Sequence, residues 1–307
     1  VLYAGKRLLA LVVLLIGISI LVFLMLQLIP GSEVSALLGQ QGATSPAAVA
    51  SLTRELGLNR PLPVQYWLWL DGALHGNLGF SYQNQQPVSA LIAQNLPSTL
   101  VLAGSGLLIS VLGGILLGAV AAGRRGTAAD SVSMGIAMTL VALPSFWLGL
   151  ILILVFAVAL PWFPVVGGSS LRGLVLPAIT LGLGVLGITG RFVRSSLLEV
   201  MHSSHVVAAR AKGLNRRTVF LKHIARNAVL PVLTVVGLQV GSLLSGAVLV
   251  ETVFSRVGIG RLLVQSILNK DYPTVQAIVL IIAAFYAATN LVVDMLYPVL
   301  DPRIGGR

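Results

Sequence analysis

The stretch Ala209–Pro231 reads ARAKGLNRRTVFLKHIARNAVLP. It holds Arg210, Lys212, Arg216, Arg217, Lys222 and Arg226, with His223 as a titratable ring. The chain around it is apolar: 56% of 307 residues are hydrophobic and 9% are charged, where a soluble domain carries about 25%. The helix formers of SHVVAARAKGL run into Gly213, which suits a helix stop. Asn215 can cap a second helix, from Arg216 to about Ala228, which leads back toward an apolar run before Pro231. The stretch therefore reads as two short helices joined at a glycine corner. It lies in a loop of nearly forty residues, 191–229, too long for a simple turn.

Working outward, six runs of about twenty mostly apolar residues read as membrane spans: roughly Leu8–Ile29, Ser98–Ala122, Met134–Leu160, Leu174–Gly190, Leu230–Val250 and Ala277–Leu296. The fold class expected is an all-α polytopic membrane protein. The first run follows Lys6 and Arg7 but is too long for a signal-peptide core and lacks a cleavage site, so it reads as a retained helix. Small residues Ser105, Gly106, Gly113, Gly114 and Gly118 in the second run allow a close helix approach. Pro144 with Ser145 predicts a kink in the third.

Charge sets the orientation. With the N-terminus in the cytoplasm, fourteen of the twenty Lys and Arg residues fall on cytoplasmic pieces, and both termini lie inside. The positive excess is thus a topology signal and does not call for a nucleic acid. The first outer loop, 30–97, reads as mostly helical. It includes a capped helix from Ser45 to Gly57 and an aromatic cluster, Tyr66, Trp67 and Trp69, expected to anchor at the interface. The organisation expected is a first helix (1–29), this loop, a five-helix core (98–298) containing the charged loop, and a cytoplasmic tail (299–307).

The charged loop has two readings on residue content alone. It is a solvated, positive-inside loop, or a thin basic element, with small residues at 208, 209 and 211, that enters a cleft in another protein. The order of its residues bears on the choice. Val207-Ala208-Ala209-Arg210-Ala211-Lys212-Gly213, ending at Leu230-Pro231, resembles the ATPase-docking loop of type I ABC import permeases, in the form used by the peptide and nickel branch. The resemblance extends along the chain in LGLNRPLPVQY (Leu56–Tyr66), GNLGFSY (Gly76–Tyr82), NLPSTL (Asn95–Leu100), LPSFWLGLILIL (Leu143–Leu154), LPAITLGL (Leu176–Leu183), DYPTVQA (Asp271–Ala277) and NLVVDMLYPVLDPRI (Asn290–Ile304). Two places depart from the family pattern: Gly31-Ser32-Glu33 after the first span, and Arg256-Val257 before Gly258-Ile259-Gly260.

The resemblance implies the type I permease fold and the first permease of an ATP-driven importer pair. It implies import of a substrate delivered by an extracytoplasmic binding protein across the inner membrane of a prokaryote, with di- or oligopeptides first and nickel chelates, glutathione and opine-like compounds left open. The partners implied are a homologous second permease, two ATPase subunits and that binding protein. Ala208, Ala209, Arg210, Ala211, Lys212 and Gly213 become the docking residues, and ATP with Mg would bind the ATPase subunits, with no cofactor in this chain.

Other chemistry is sparse. No G-x-x-x-x-G-K-[ST] occurs, and GRRGTAAD (Gly123–Asp130) reads as an inner turn. His202 and His205 are one helical turn apart, near His223, but the only nearby carboxylate is Glu199, so no metal site is expected. Asp294 in the sixth span is costly in a membrane and is expected to pair with Arg191 or Arg194. Glu251 closes the fifth span as an interfacial or gate residue. The competing function is a secondary transporter driven by an ion gradient. It would need intramembrane ionisable or broken-helix sites, often in repeated halves, and no internal repeat is visible. A membrane enzyme would need clustered catalytic side chains within the spans, and all four histidines fall outside them.

Overall fold

The computed structural model describes residues 2–28, 50, 53–54, 57, 59–166, 168 and 170–300. The helix expected from Ser45 lies almost wholly outside these residues, as do Gly31-Ser32-Glu33 and the tail beyond Leu300. The described helices are α1 (Leu2–Gln27), α2 (Leu62–Leu74), α3 (Val88–Gly123), α4 (Ala128–Ala142), α5 (Ser145–Leu152), α6 (Leu171–Met201), α7 (Ser204–Ala211), α8 (Arg216–Thr218), α9 (Arg226–Val253), α10 (Ile259–Leu268) and α11 (Tyr272–Leu300). Strands β1 (Phe80–Ser81) and β2 (Gln86–Pro87) form one antiparallel hairpin, with Phe80 opposite Pro87. Two π-helical stretches, Ile153–Ala159 and Val219–Ala225, continue α5 and α8.

Among the described residues, five helices are long and apolar enough to cross a membrane, or six if the bent pair α4–α5 counts as one span. The third span expected from sequence is not one rod. Leu143 and Pro144 are extended, and the chain bends by 104° between the helices on either side. Proline disfavours a helical conformation in the residue before it, so the break falls where Pro144 predicts. The second helix, α3, begins at Val88, ten residues before the apolar run, and contains Pro97.

The described chain divides into two compact units, residues 1–97 with 258–288, and 98–257 with 289–307. In the first, Val88, Leu91 and Ile92 of α3 pack with Ile259 and Leu262 of α10 and with Ala277 and Ile278 of α11. Tyr66 and Trp69 pack against α1. Tyr66 shares a hydrogen bond of 2.8 Å with Ser19, and both rings stack near Phe23 of α1, at 5.5 and 6.4 Å. Trp67 alone of the three is widely exposed, at 67%. GNLGFSY and DYPTVQA, far apart in sequence, meet in this unit. Ser81 Oγ donates to Asp271 Oδ2 at 2.6 Å, as does Thr274 Oγ1 at 2.8 Å. Gly79 sits at φ +92°, where a Cβ would stand 3.1 Å from Pro273 Cβ.

The second unit is organised about α6, whose buried face includes Leu181, Val185, Leu186, Gly187, Thr189 and Val193. The small residues of α3 lie along it as expected. A Cβ on Gly106 would meet Leu181 at 3.1 Å, on Gly114 Thr189 Cβ at 2.5 Å, and on Gly118 the Gly190 carbonyl at 2.5 Å. So close an approach of backbones needs glycine, which is how membrane helices gain dispersion contacts without a hydrophobic driving force. A buried polar cluster joins three helices at mid-length. Ser110 of α3 and Thr189 of α6 each donate to Gln239 Oε1 of α9, at 3.2 and 3.1 Å.

Candidate functional site

The charged loop folds as a helix, a corner and a helix. In α7 the C-cap is Lys212, and Gly213 follows at φ +76°. Gly213 N–H donates to the Arg210 carbonyl at 3.0 Å, and Leu214 N–H to the Ala209 carbonyl at 3.4 Å. That pairing is the Schellman motif, which satisfies the last carbonyls of a helix and requires a left-handed residue at the glycine position. Asn215 Oδ1 then accepts from Arg217 N–H at 2.9 Å, capping α8 as expected. One expectation is corrected here. The second helix does not end before Pro231: α8, the π-helical stretch and α9 form one continuous rod to Val253, with Pro231 inside it. Pro231 lacks the amide that would bond the Asn227 carbonyl, and a membrane helix tolerates such a gap.

The loop is rooted from beneath. Val206 (0% exposed) and Ala209 (6%) pack with Ala122 of α3, Val193 and Leu197 of α6, and Val219, Ile224, Ala228 and Val232 of the return limb. Ser196 Oγ adds a hydrogen bond of 2.9 Å to the Ala228 carbonyl. Of the six residues singled out, Ala208, Arg210, Ala211, Lys212 and Gly213 are exposed, and Ala209 is not. Ala209 faces inward because α7 turns the face shared with Val206, three residues earlier, onto α3 and α6. Its small side chain sets how closely the loop settles. Val207, Leu214, Phe220 and Leu221 are exposed around the basic residues. The surface is therefore a basic corner with an apolar rim, held on a packed foundation.

Two other charged residues are tied into the same unit. Arg194, at the loop end of α6, grips Asp130 with both arms: Nε donates to Oδ1 at 2.7 Å and Nη2 to Oδ2 at 2.8 Å. Gly126 N–H donates to the same carboxylate at 3.0 Å. The inner turn GRRGTAAD thus places its last residue as a partner of Arg194. Arg191 is exposed, with Nη1 3.6 Å from Met138 Sδ. Asp294 falls within α11, and its side chain lies outside the described residues. His202 takes the Nδ1–H tautomer, donating to the Leu198 carbonyl at 2.6 Å while Nε2 accepts from Arg125 at 3.4 Å. Among the described residues no three His, Asp or Glu side chains converge as metal ligands.

Glu251 is fully buried, and Thr99 Oγ1 of α3 donates to its Oε1 at 2.6 Å. It links α3 to α9. Arg256, read from sequence as an outer topology charge, is also buried, at 4% exposed. Its Nη1 donates to the Gly168 carbonyl at 2.9 Å. Burial pushes its guanidinium pKa down, and the nearby Glu251 opposes the shift. Thr99, Asp130 and the burial of Arg256 carried no local signal in the sequence.

Residues 114–306 match the family described as "Binding-protein-dependent transport system inner membrane component", and residues 2–103 match its N-terminal component. The glutathione transport system permease protein GsiC of Salmonella typhi is 40% identical over 302 residues, covering 98% of each chain. GsiC of Escherichia coli K12 is 40% identical over 303 residues, again covering 98% of each. Among solved structures, an inward-facing form of the MetNI methionine ABC transporter superposes with a TM-score of 0.55 at 17% identity, over 68% of this chain and 96% of that one. An amino acid ABC transporter crystallised with histidines gives 0.52 at 17% identity, over 70% and 94%. These two likenesses show the fold, that of the type I permeases.

Proposed function

Since the chain belongs to the binding-protein-dependent transport system inner membrane components, and is therefore a permease subunit of an ABC importer and not an enzyme, we propose that it forms half of a pathway for di- and oligopeptides. Importers of this kind combine permeases, ATPases and a binding protein. The finer reading is a heterodimer with a homologous second permease, two ATPase subunits that bind ATP and Mg, and an extracytoplasmic protein that delivers the substrate. Both termini and the charged loop lie in the cytoplasm, on the balance of Lys and Arg. The named relatives transport glutathione, itself a small peptide, so glutathione is the first substrate to test.

One observation carries the docking assignment: the basic corner is exposed above and fused to three spanning helices below. A partner that grips Arg210, Lys212 and the Gly213 corner cannot displace α7 alone, because Val206 and Ala209 are embedded against α3, α6 and the return limb into α9. ATPase closure would move these elements as one body, a rigid-body transition of the usual kind. The test is reconstitution of the chain with its neighbouring subunits in vesicles. Glutathione or dipeptide uptake that needs ATP, the ATPases and the binding protein supports the reading. Uptake by this chain alone under an ion gradient overturns it.

A further inference from the structure

Between Val200 and Val250 the chain has no Asp or Glu, yet it holds six Lys and Arg residues. All six are exposed, and among the described residues none has a side-chain hydrogen bond or ion pair. Among the described residues, no carboxylate supplies their counter-charge. They fall in two places. Arg210, Lys212, Arg216 and Arg217 surround the glycine corner. Lys222 and Arg226 stand on the return limb that leads into α9.

The return limb has a defined depth relative to the membrane. The apolar run that heads α9 begins at Ala228 and reaches Val250, 23 residues, or about 34 Å at 1.5 Å per residue, enough to fill a hydrocarbon core of about 30 Å. The headgroup layer on each side is roughly 5–8 Å thick. Arg226 precedes Ala228 by two residues, about 3 Å along the axis, which puts it in that layer. Lys222 is one turn further out, within reach of the layer through its flexible stem. Both share the outward face, opposite the buried line of Val219, Ile224 and Ala228. Leu221, 54% exposed, and Phe220 lie on the same limb, apolar groups that suit the edge of the acyl region. The basic residues at the corner have no such depth argument.

We propose that Lys222 and Arg226, with Phe220 and Leu221, form a site for an anionic phospholipid headgroup. Its phosphate is held by the two cations, and its glycerol end lies against the apolar pair. The site rests on the cytoplasmic placement of the loop proposed above. It divides the basic face in two: the corner meets the protein partner, and the return limb meets lipid. A bound headgroup would hold the limb at the membrane surface, and through Val219, Ile224 and Ala228 it would steady the underside of the docking corner.

The test uses the complete assembly in nanodiscs of phosphatidylcholine with or without phosphatidylglycerol. Retained lipid is counted by native mass spectrometry, and lipid affinity is measured by titration. Each cation near an anionic surface contributes roughly fivefold in affinity. The Lys222→Gln/Arg226→Gln pair should therefore lower phosphatidylglycerol affinity by roughly 25-fold while the ATPase stays bound. Lys222→Arg/Arg226→Lys, which keeps the charge, should retain the lipid and controls for folding. Arg216→Gln/Arg217→Gln at the corner should leave lipid retention unchanged. The proposal is overturned if the return-limb pair retains lipid like the native chain, if phosphatidylcholine binds as well, or if that pair loses the ATPase instead. A native assembly that retains the lipid but binds no ATPase would defeat the transport reading and leave the lipid site standing.

Discussion

Gly213 allows the docking corner to be tested by conformation, separately from bulk. At φ +76° it occupies the left-handed region, and among the described residues no heavy atom beyond its chain neighbours lies within 4 Å of a Cβ placed there. Space costs nothing at this position within the chain; backbone conformation is the whole expense. An L-residue in that region costs roughly 1–2 kcal/mol, and asparagine is the side chain that best tolerates it. The cost falls on the corner directly, because the bonds from Gly213 N–H to the Arg210 carbonyl and from Leu214 N–H to the Ala209 carbonyl exist only in this geometry. A penalty of that size lowers the population of the formed corner by roughly 5–30-fold relative to relaxed alternatives. The assay is affinity for the purified ATPase, with substrate imported per ATP hydrolysed measured in vesicles. Gly213→Asn should stay near the native value, Gly213→Ala should weaken docking about fivefold or more, and Gly213→Val should be worse, while all three insert normally. If alanine outperforms asparagine, so that effect follows side-chain size, the conformational argument is wrong and the partner simply needs room.

Other substitutions probe the foundation. Gly118→Val puts its Cβ 2.5 Å from the Gly190 carbonyl and 2.6 Å from Val193 Cβ; overpacking of this kind costs about 1–3 kcal/mol, so the melting temperature in detergent should drop. Thr99→Val removes a donor from the buried Glu251 carboxyl and should cost about 1.5–3 kcal/mol, read by the same melt, whereas Thr99→Ser should be nearly neutral. Asp130→Asn and Arg194→Gln should each lower the yield of monodisperse protein on size-exclusion chromatography. The exchange Asp130→Arg/Arg194→Asp should recover part of that loss, and no recovery would mean the pair contributes through packing alone.

Features fixed by local chemistry were legible in the sequence. Gly213 followed by Asn215 demanded a stop and a cap, and both formed. Pro144 broke the third span, and the glycines of α3 met α6. Features that depend on which elements become neighbours were not legible. Arg194 found Asp130, 64 residues away, because the turn at Gly126 aims that carboxylate at α6; nothing near either residue announces the other. Ala209 was read as a docking residue because it belongs to the motif, yet its orientation depends on α3 and α6 beneath it. Tyr66 and Trp69 read as interfacial because aromatics next to a span often are; here the polar edge of α1 at Ser19 offered Tyr66 a partner. Arg256 counted as an outer topology charge, and the Gly168 carbonyl that accepts from it lies 88 residues upstream.

The central claim is that the basic corner passes ATPase motion into this permease. It is tested most directly by measuring ATP hydrolysis and peptide uptake together, in vesicles holding the full assembly, for the native chain and for Gly213→Val. The account predicts ATP-dependent uptake by the native chain, and a variant that inserts and assembles with its partner permease yet imports far less peptide for each ATP consumed. Equal uptake per ATP in the two would contradict it.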